Sequence, residues 1–213
     1  MDGVELAAFF RGFSMAALPC LRAGALVYLF IDWRSLELLL AVSSAIYGPL
    51  LKQLVWPKDR ADMGSFYPSQ HELVLVHKVA GDAHRNNVML GKGGRHCSNV
   101  LTHASPQSFG GGSADAKTLA GHPMPKNLDL VADLILDCTL RGEGVVDPFL
   151  GSGTTLIAAE KTGRVACGLD LDPLYVDLAV RRWQAWTGED AVLVGTGQRF
   201  ADLETMMEED LQG

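Results

Sequence analysis

The chain is poor in cysteine. Four stand in 213 residues (Cys20, Cys97, Cys138 and Cys167), and no two form a Cys-x-x-Cys pair. A disulfide framework and a thiolate metal site are therefore not expected, and the default setting is a reducing cytosol. Long apolar runs are also lacking. ALVYLFI at 25–31 is too short to span a bilayer and is bracketed by Arg22 and Asp32. Asp2 and Glu5 stand where a secretory signal would carry positive charge. All six histidines fall between His71 and His122 without ligand spacing, so no metal is expected. Positive charge is in deficit: 18 Lys and Arg against 25 Asp and Glu give −7.

That deficit is uneven. Residues 52–97 hold seven basic residues (Lys52, Lys58, Arg60, Lys78, Arg85, Lys92, Arg95) against Asp59, Asp62, Glu72 and Asp82. The local +3 leaves −10 on the rest of the chain. A basic middle in an acidic protein suits a patch that meets an anion.

The composition, 48% hydrophobic and 20% charged, is that of an ordinary globular domain. Helices are expected over 4–18, stopped by Pro19, and over 35–46, stopped by Gly48-Pro49. ALVYLFID (25–32) reads as a strand covered on both faces, as in parallel sheets; QLVW (53–56) and ELVLVHK (72–78) read as further strands. From 79 to 121 periodicity disappears, and a stretch of that length inside a domain is more often a functional insertion than a connector. Order returns with a helix over 128–140, the strand GVVDPF, the helix TTLIAAEKTG, the strand RVACGLDLD and a helix over 173–188. AVLVG (191–195) is read as a last strand and the acidic tail after it as frayed. Alternation of this kind implies an α/β sheet with helices on both faces.

The most informative stretch is DPFLGSGTT (147–155), between a strand and a helix. In a doubly wound sheet, ligands bind at such carboxyl ends of strands. Gly151 and Gly153 permit positive φ and close approach to the backbone. The next strand ends in Asp170, nineteen residues after Gly151, where an acid commonly accepts hydrogen bonds from ribose hydroxyls. A nucleoside-containing cofactor follows. No Lys comes after Gly153, which argues against a phosphate-binding NTPase loop, and Leu156 replaces the third glycine of a dinucleotide fold. S-adenosylmethionine, an adenosine without phosphate, suits a two-glycine loop with a nearby acid. An NAD-type oxidoreductase stays as the alternative, and a lone Gly-x-Gly could also be only a tight turn.

DPFLGSGTT, with GLDLDPLYVDLAVRRW (168–183) after it and HPMPKNLDLVADLI (122–135) before it, resembles the amino-methylating DNA methyltransferases. GALVYLFIDWR (24–34), VWPKDRADMGSFYPSQHELVLVHK (55–78) and GRHCSNVLTH (94–103) are similar to phage and bacterial modification methylases of that group. The resemblance covers nearly the whole chain. It implies a Rossmann-like S-adenosylmethionine-dependent methyltransferase sheet, circularly permuted in the so-called beta order. It also implies double-stranded DNA as partner, a restriction-modification setting and a cytoplasmic, nucleoid-associated protein, and it leaves room for a homodimer. By the same resemblance, residues 1–78 form part of the catalytic half, 79–121 a target-recognition insertion, 122–199 the cofactor half and 200–213 an acidic tail.

Residue by residue, the resemblance assigns Asp147, Phe149, Gly151, Ser152, Gly153, Thr154 and Asp170 to the cofactor site. His122, Pro123 and Lys126 fall in the segment that closes over the methionine end, where the usual Lys-Pro is Lys126-Asn127. Arg85, Asn86, Asn87, Lys92, Arg95, Ser98 and Asn99 are candidates to meet phosphates and base edges. Glu72, in SQHE (69–72), matches a position on the catalytic face. The implied reaction moves a methyl group from S-adenosylmethionine to the exocyclic amine of a flipped base, with adenine favoured over cytosine. The family's signature, Asp/Asn/Ser-Pro-Pro followed by an aromatic, is missing, since no Pro-Pro dipeptide occurs. The expectation is a chain whose N-terminal part lacks that segment, whose sheet lacks a central strand, and which transfers little methyl alone. A non-catalytic DNA-binding remnant is the further alternative.

Overall fold

A computed structural model describes residues 2–63, 66–89, 92, 94, 95, 97–104 and 126–212. His122 and Pro123 lie outside the described residues. The elements run α1 (Gly3–Ala17), β1 (Leu26–Ile31), α2 (Leu36–Tyr47), β2 (Leu50–Pro57), β3 (His71–Lys78), α3 (Leu128–Cys138), β4 (Gly144–Asp147), α4 (Thr154–Thr162), β5 (Val165–Gly168), α5 (Pro173–Thr187) and α6 (Phe200–Gln212). Local chemistry explains the boundaries. Asp2 caps α1 through the amides of Val4 and Glu5, and Glu5 returns a bond to the Asp2 amide. Asn127 caps α3 through Asp129 and Leu130. Asp172 caps α5, with Pro173 at its first position and left-handed Gly188 at its end.

Among the described residues the strands form two sheets: a three-stranded one in the order β1-β3-β2, and a pair, β4-β5. β4 and β5 are parallel, as strand–helix–strand alternation requires. β1 and β2 both run antiparallel to β3, so β1 departs from the parallel setting that its unbroken apolar run suggested. The run reflects cover on both faces, which hydropathy reads equally well in either direction. Val192 makes only an isolated bridge to Arg199 in place of the strand expected over 191–195, and the acidic tail forms α6.

β3 is the buried centre of the larger sheet. Its side chains alternate between two cores, as the period of two demands. Leu75 faces Phe10 of α1 and Leu39 and Val42 of α2. Val74 faces the other way, into a cluster with Trp56, Leu101, Leu130 and Leu134. α3 therefore covers the larger sheet with Leu130 and Leu134. With Ala132 and Ile135 it packs on Ala158 and Ala159 of α4, against Val145 and Ala166 of the parallel pair. One helix joins the two sheets. Full burial of each of its leucines stabilises this join by about 1.5–3 kcal/mol. No described helix is long and apolar enough to cross a membrane.

Candidate cofactor and nucleic-acid site

The turn after β4 is held from every side. Its backbone continues the parallel ladder: the Leu169 amide donates to the Asp147 carbonyl, and the Leu150 amide to the Leu169 carbonyl, each at 2.9 Å. Asp147 turns its carboxylate back on the loop, accepting from the Phe149 amide (3.0 Å) and the Thr155 hydroxyl (2.6 Å). Asp170 accepts the Gly151 amide on Oδ2 at 2.7 Å and the Asp172 amide on Oδ1 at 2.9 Å. The acid read from spacing as a ribose acceptor thus also ties the end of β5 to the glycine turn. Each of its oxygens keeps a further lone pair for a hydroxyl.

Gly153 has a more specific role than flexibility. Its φ is 81°, and a Cβ there would lie 2.8 Å from Cβ and 3.0 Å from Cα of Ala179. The glycine is what lets α5 approach the start of α4. From the same helix, buried Arg182 donates to the carbonyl of buried Ser152. Arg182 was not among the residues singled out from the sequence. The available signal was its place three residues after Ala179, on the face that meets the loop. Thr154 is buried at the start of α4. Phe149 reaches across to α1, with its ring 5.0 Å from that of Phe13 and 5.9 Å from that of Phe9. These contacts couple the loop to the first helix, and neither phenylalanine of α1 was expected in the site.

The donor set selects among ligands. Two carboxylates flank the turn, and Arg182 is turned onto a backbone carbonyl. A phosphate dianion would meet acceptors there, whereas ribose hydroxyls and a cationic centre meet complementary groups. The residues present therefore fit an adenosyl sulfonium better than a pyrophosphate.

Lys126 belongs to a second cluster. Its ammonium binds Oε1 of Glu72, while Lys58 binds Oε2 at 2.9 Å. Glu72 is 8% exposed, and the two lysines lie over Phe30 and Trp56. Two ammonium groups on one buried carboxylate leave the cluster with a net positive charge. Glu72 in this way connects the β2–β3 hairpin to the segment entering α3.

The polar residues between 85 and 99 mostly serve the fold. Asn87 donates to the carbonyls of Leu136 (2.8 Å) and Thr139 (3.0 Å), at the end of α3. Arg95 pairs with Asp133 and with Asp137 (2.6 Å). Arg85 lies 3.6 Å from Glu143, and Asn99 donates to Gln53 O at 3.3 Å. Asn86 closes a turn on the amides of Val88 and Met89, and Ser98 exchanges bonds with Val100. Lys92 is exposed. Beneath this segment burial raises the Asp137 carboxyl, against the pull of Arg95. Burial also raises Cys97 and pushes Cys138 up to about 11, so neither thiol has thiolate character.

Parallel strand, glycine turn, helix, and a carboxylate ending the next strand define a Rossmann-like methyltransferase fold, and solved structures agree. The complex of M1.HpyAVI with SAM aligns over 80% of this chain and 80% of that one, with a TM-score of 0.66 at 19% identity. The PvuII DNA methyltransferase, described as cytosine-N4-specific, aligns over 86% and 72%, with a TM-score of 0.70 at 17% identity. The sequence model of the DNA methylase family that groups N6 and N4 enzymes matches residues 4–181, and the chain belongs to that family. Type II methyltransferase M.Cfr9I of Citrobacter freundii is 41% identical over 66 residues, which are 31% of this chain and 21% of that protein. M2.DpnII of Streptococcus pneumoniae is 39% identical over 64 residues, 30% and 24% of the two chains. The matched stretches thus span about a quarter or less of these two relatives.

Proposed function

We propose that this protein binds S-adenosylmethionine at the 147–155 turn and acts in methylating an exocyclic amino group of a DNA base. The observation that carries the reading is the Asp170–Gly151 tie at 2.7 Å. It fixes the glycine turn beside an acid with acceptor capacity left for ribose hydroxyls. Bound there, S-adenosylmethionine supplies the methyl group. Asp147 and Arg182 hold the loop, Asp170 orients the ribose, and Lys126, held on Glu72, is assigned by the family resemblance to the segment that closes over the methionine end. The acceptor base is reached by flipping it from the duplex, and adenine is favoured over cytosine on the family resemblance. A structural neighbour is described as cytosine-N4-specific, so the base is a matter for assay. Arg85, Lys92 and Arg95 are all exposed, but Arg85 lies against Glu143 and Arg95 against Asp133 and Asp137, so Lys92 is the cation of the 85–99 set best placed for phosphate.

The test is ligand titration by calorimetry, followed by transfer of labelled methyl to duplex DNA. S-adenosylmethionine should bind and NAD should not. Asp170→Asn should weaken the cofactor by about tenfold, in keeping with the loss of a charge-assisted hydrogen bond. Binding of NAD in preference to S-adenosylmethionine would replace this reading with an oxidoreductase.

A further inference from the structure

The loop joining β2 to β3 presents large apolar side chains to water. Met63 is 101% exposed, Phe66 82% and Tyr67 85%. Single exposed apolar residues are ordinary, but three on one loop, two of them neighbouring aromatics, form a patch that folding does not account for. The rings of Phe66 and Tyr67 meet edge to face, 4.4 Å apart at 61°. Tyr67 holds φ at 46°, a costly conformation for a bulky residue.

The base of this loop is braced. The Lys58 amide donates to Gln70 O and the Gln70 side chain to Lys58 O, both at 2.9 Å. Further out, the Asp62 amide donates to Ser69 O at 2.7 Å. These bonds carry the hairpin beyond the sheet, so the aromatic pair stands on a fixed neck. At the foot of that neck lie Lys58, Glu72 and Lys126, the positively charged cluster already described. On the loop itself exposed Arg60 stands between the exposed acids Asp59 and Asp62, so the positive charge beside the rings comes from the cluster at the foot of the neck. Flat π faces beside cations suit one kind of partner well: bases that have lost their stacking neighbours, on a polyanionic strand.

We propose that Phe66 and Tyr67 form a stacking platform for unpaired DNA bases, engaged when the target base leaves the duplex. This rests on the DNA-methylating reading and extends it to the β2–β3 loop, outside the 79–121 stretch expected to recognise the target. Aromatic stacking accepts any base, so the platform contributes affinity for opened DNA and little sequence choice.

The experiment uses the full chain with fluorescent duplexes that are fully paired or carry an abasic site opposite one base. Phe66→Ala and Tyr67→Ala should each weaken binding to the opened duplex about ten- to hundredfold. The paired duplex should lose less, and the salt slope should not change because no charge is removed. Phe66→Tyr and Tyr67→Phe should keep the platform. S-adenosylmethionine affinity, unchanged in all four variants, reports intact folding. Alanine variants that match the wild type on opened DNA overturn the platform while leaving the methylating reading standing. Wild-type protein that binds S-adenosylmethionine but neither duplex overturns both. Loss of self-association in the alanine variants, with DNA affinity intact, would assign the patch to a second copy of the chain instead.

Discussion

Two polar-rich loops of this protein follow opposite logic. The turn at 147–155 keeps its side chains and amides tied to one another and to Asp170, so that a ligand finds a shape already made. The segment from 85 to 99 looks, by composition, more like a surface that meets a partner. Its Asn87 and Arg95 are nonetheless engaged with the end of α3. In the first loop internal bonds prepare a site; in the second they hold a long connection against a helix. Polarity alone does not separate these cases. What separates them is whether the bonded groups retain free acceptor or donor capacity, as Asp170 does and as Asn87, both of whose amide hydrogens are donated, does not on that side.

The sharpest way to break the first loop is Gly153→Ala. The new Cβ meets Ala179 at 2.8 Å, and a φ of 81° disfavours any L side chain. Strain and overpacking together should cost about 3 kcal/mol or more of stability. Urea unfolding followed by circular dichroism measures it. A loss below about 1 kcal/mol would show that α5 can withdraw from the loop and that the tight approach is not what the glycine serves.

Much of the cofactor turn was legible because its signals are local. A glycine with positive φ, a carboxylate at fixed spacing and caps on either side all act within a few residues or one strand–helix–strand unit. Arg182 and the Phe13–Phe149 contact were not legible, since both depend on how separate helices meet. The segments of β1 to β5 were found, but not the direction of β1, and the strand read over 191–195 is only an isolated bridge. An apolar run reports burial, whereas direction is set by the connection through α2 and the β2–β3 hairpin. The 85–99 residues show the same limit in reverse. Asn and Arg in a Gly-rich stretch are equally good for phosphates and for stray carbonyls, and only the fold shows that the end of α3 takes Asn87 and Arg95.

Asn87→Ala and Lys92→Ala test that second loop as a pair. Removing Asn87 leaves the carbonyls of Leu136 and Thr139 without that partner and should lower stability by about 1–2 kcal/mol. DNA affinity per folded molecule should hardly change. Lys92→Ala should do the opposite, leaving stability unchanged and lowering the salt slope of DNA binding by about one. If Asn87→Ala weakened DNA binding at unchanged stability, the contrast between the loops would collapse, because the segment would then be a recognition surface after all.

The smallest effect concerns the point where the second loop meets the edge of the first. Glu143, just before β4, accepts the Leu140 amide at 2.7 Å and pairs with Arg22 at 2.9 Å and Arg85 at 3.6 Å. The amide bond, assisted by the two guanidinium groups, holds its carboxyl below the usual range. A carboxyl whose folded value is depressed stabilises the protein above its unfolded pKa, about 4.3, and loses that contribution as pH falls through the lower folded value. Glu143→Gln keeps an acceptor for Leu140 but removes the charge. At pH 7 it should cost only about 0.5 kcal/mol, since the pairs are partly solvated. Its stability should also fall less steeply than the wild type's as pH drops from about 5 to 3. Parallel curves for the two proteins across that range would show that neither the Leu140 amide nor the two guanidinium groups depress the Glu143 carboxyl.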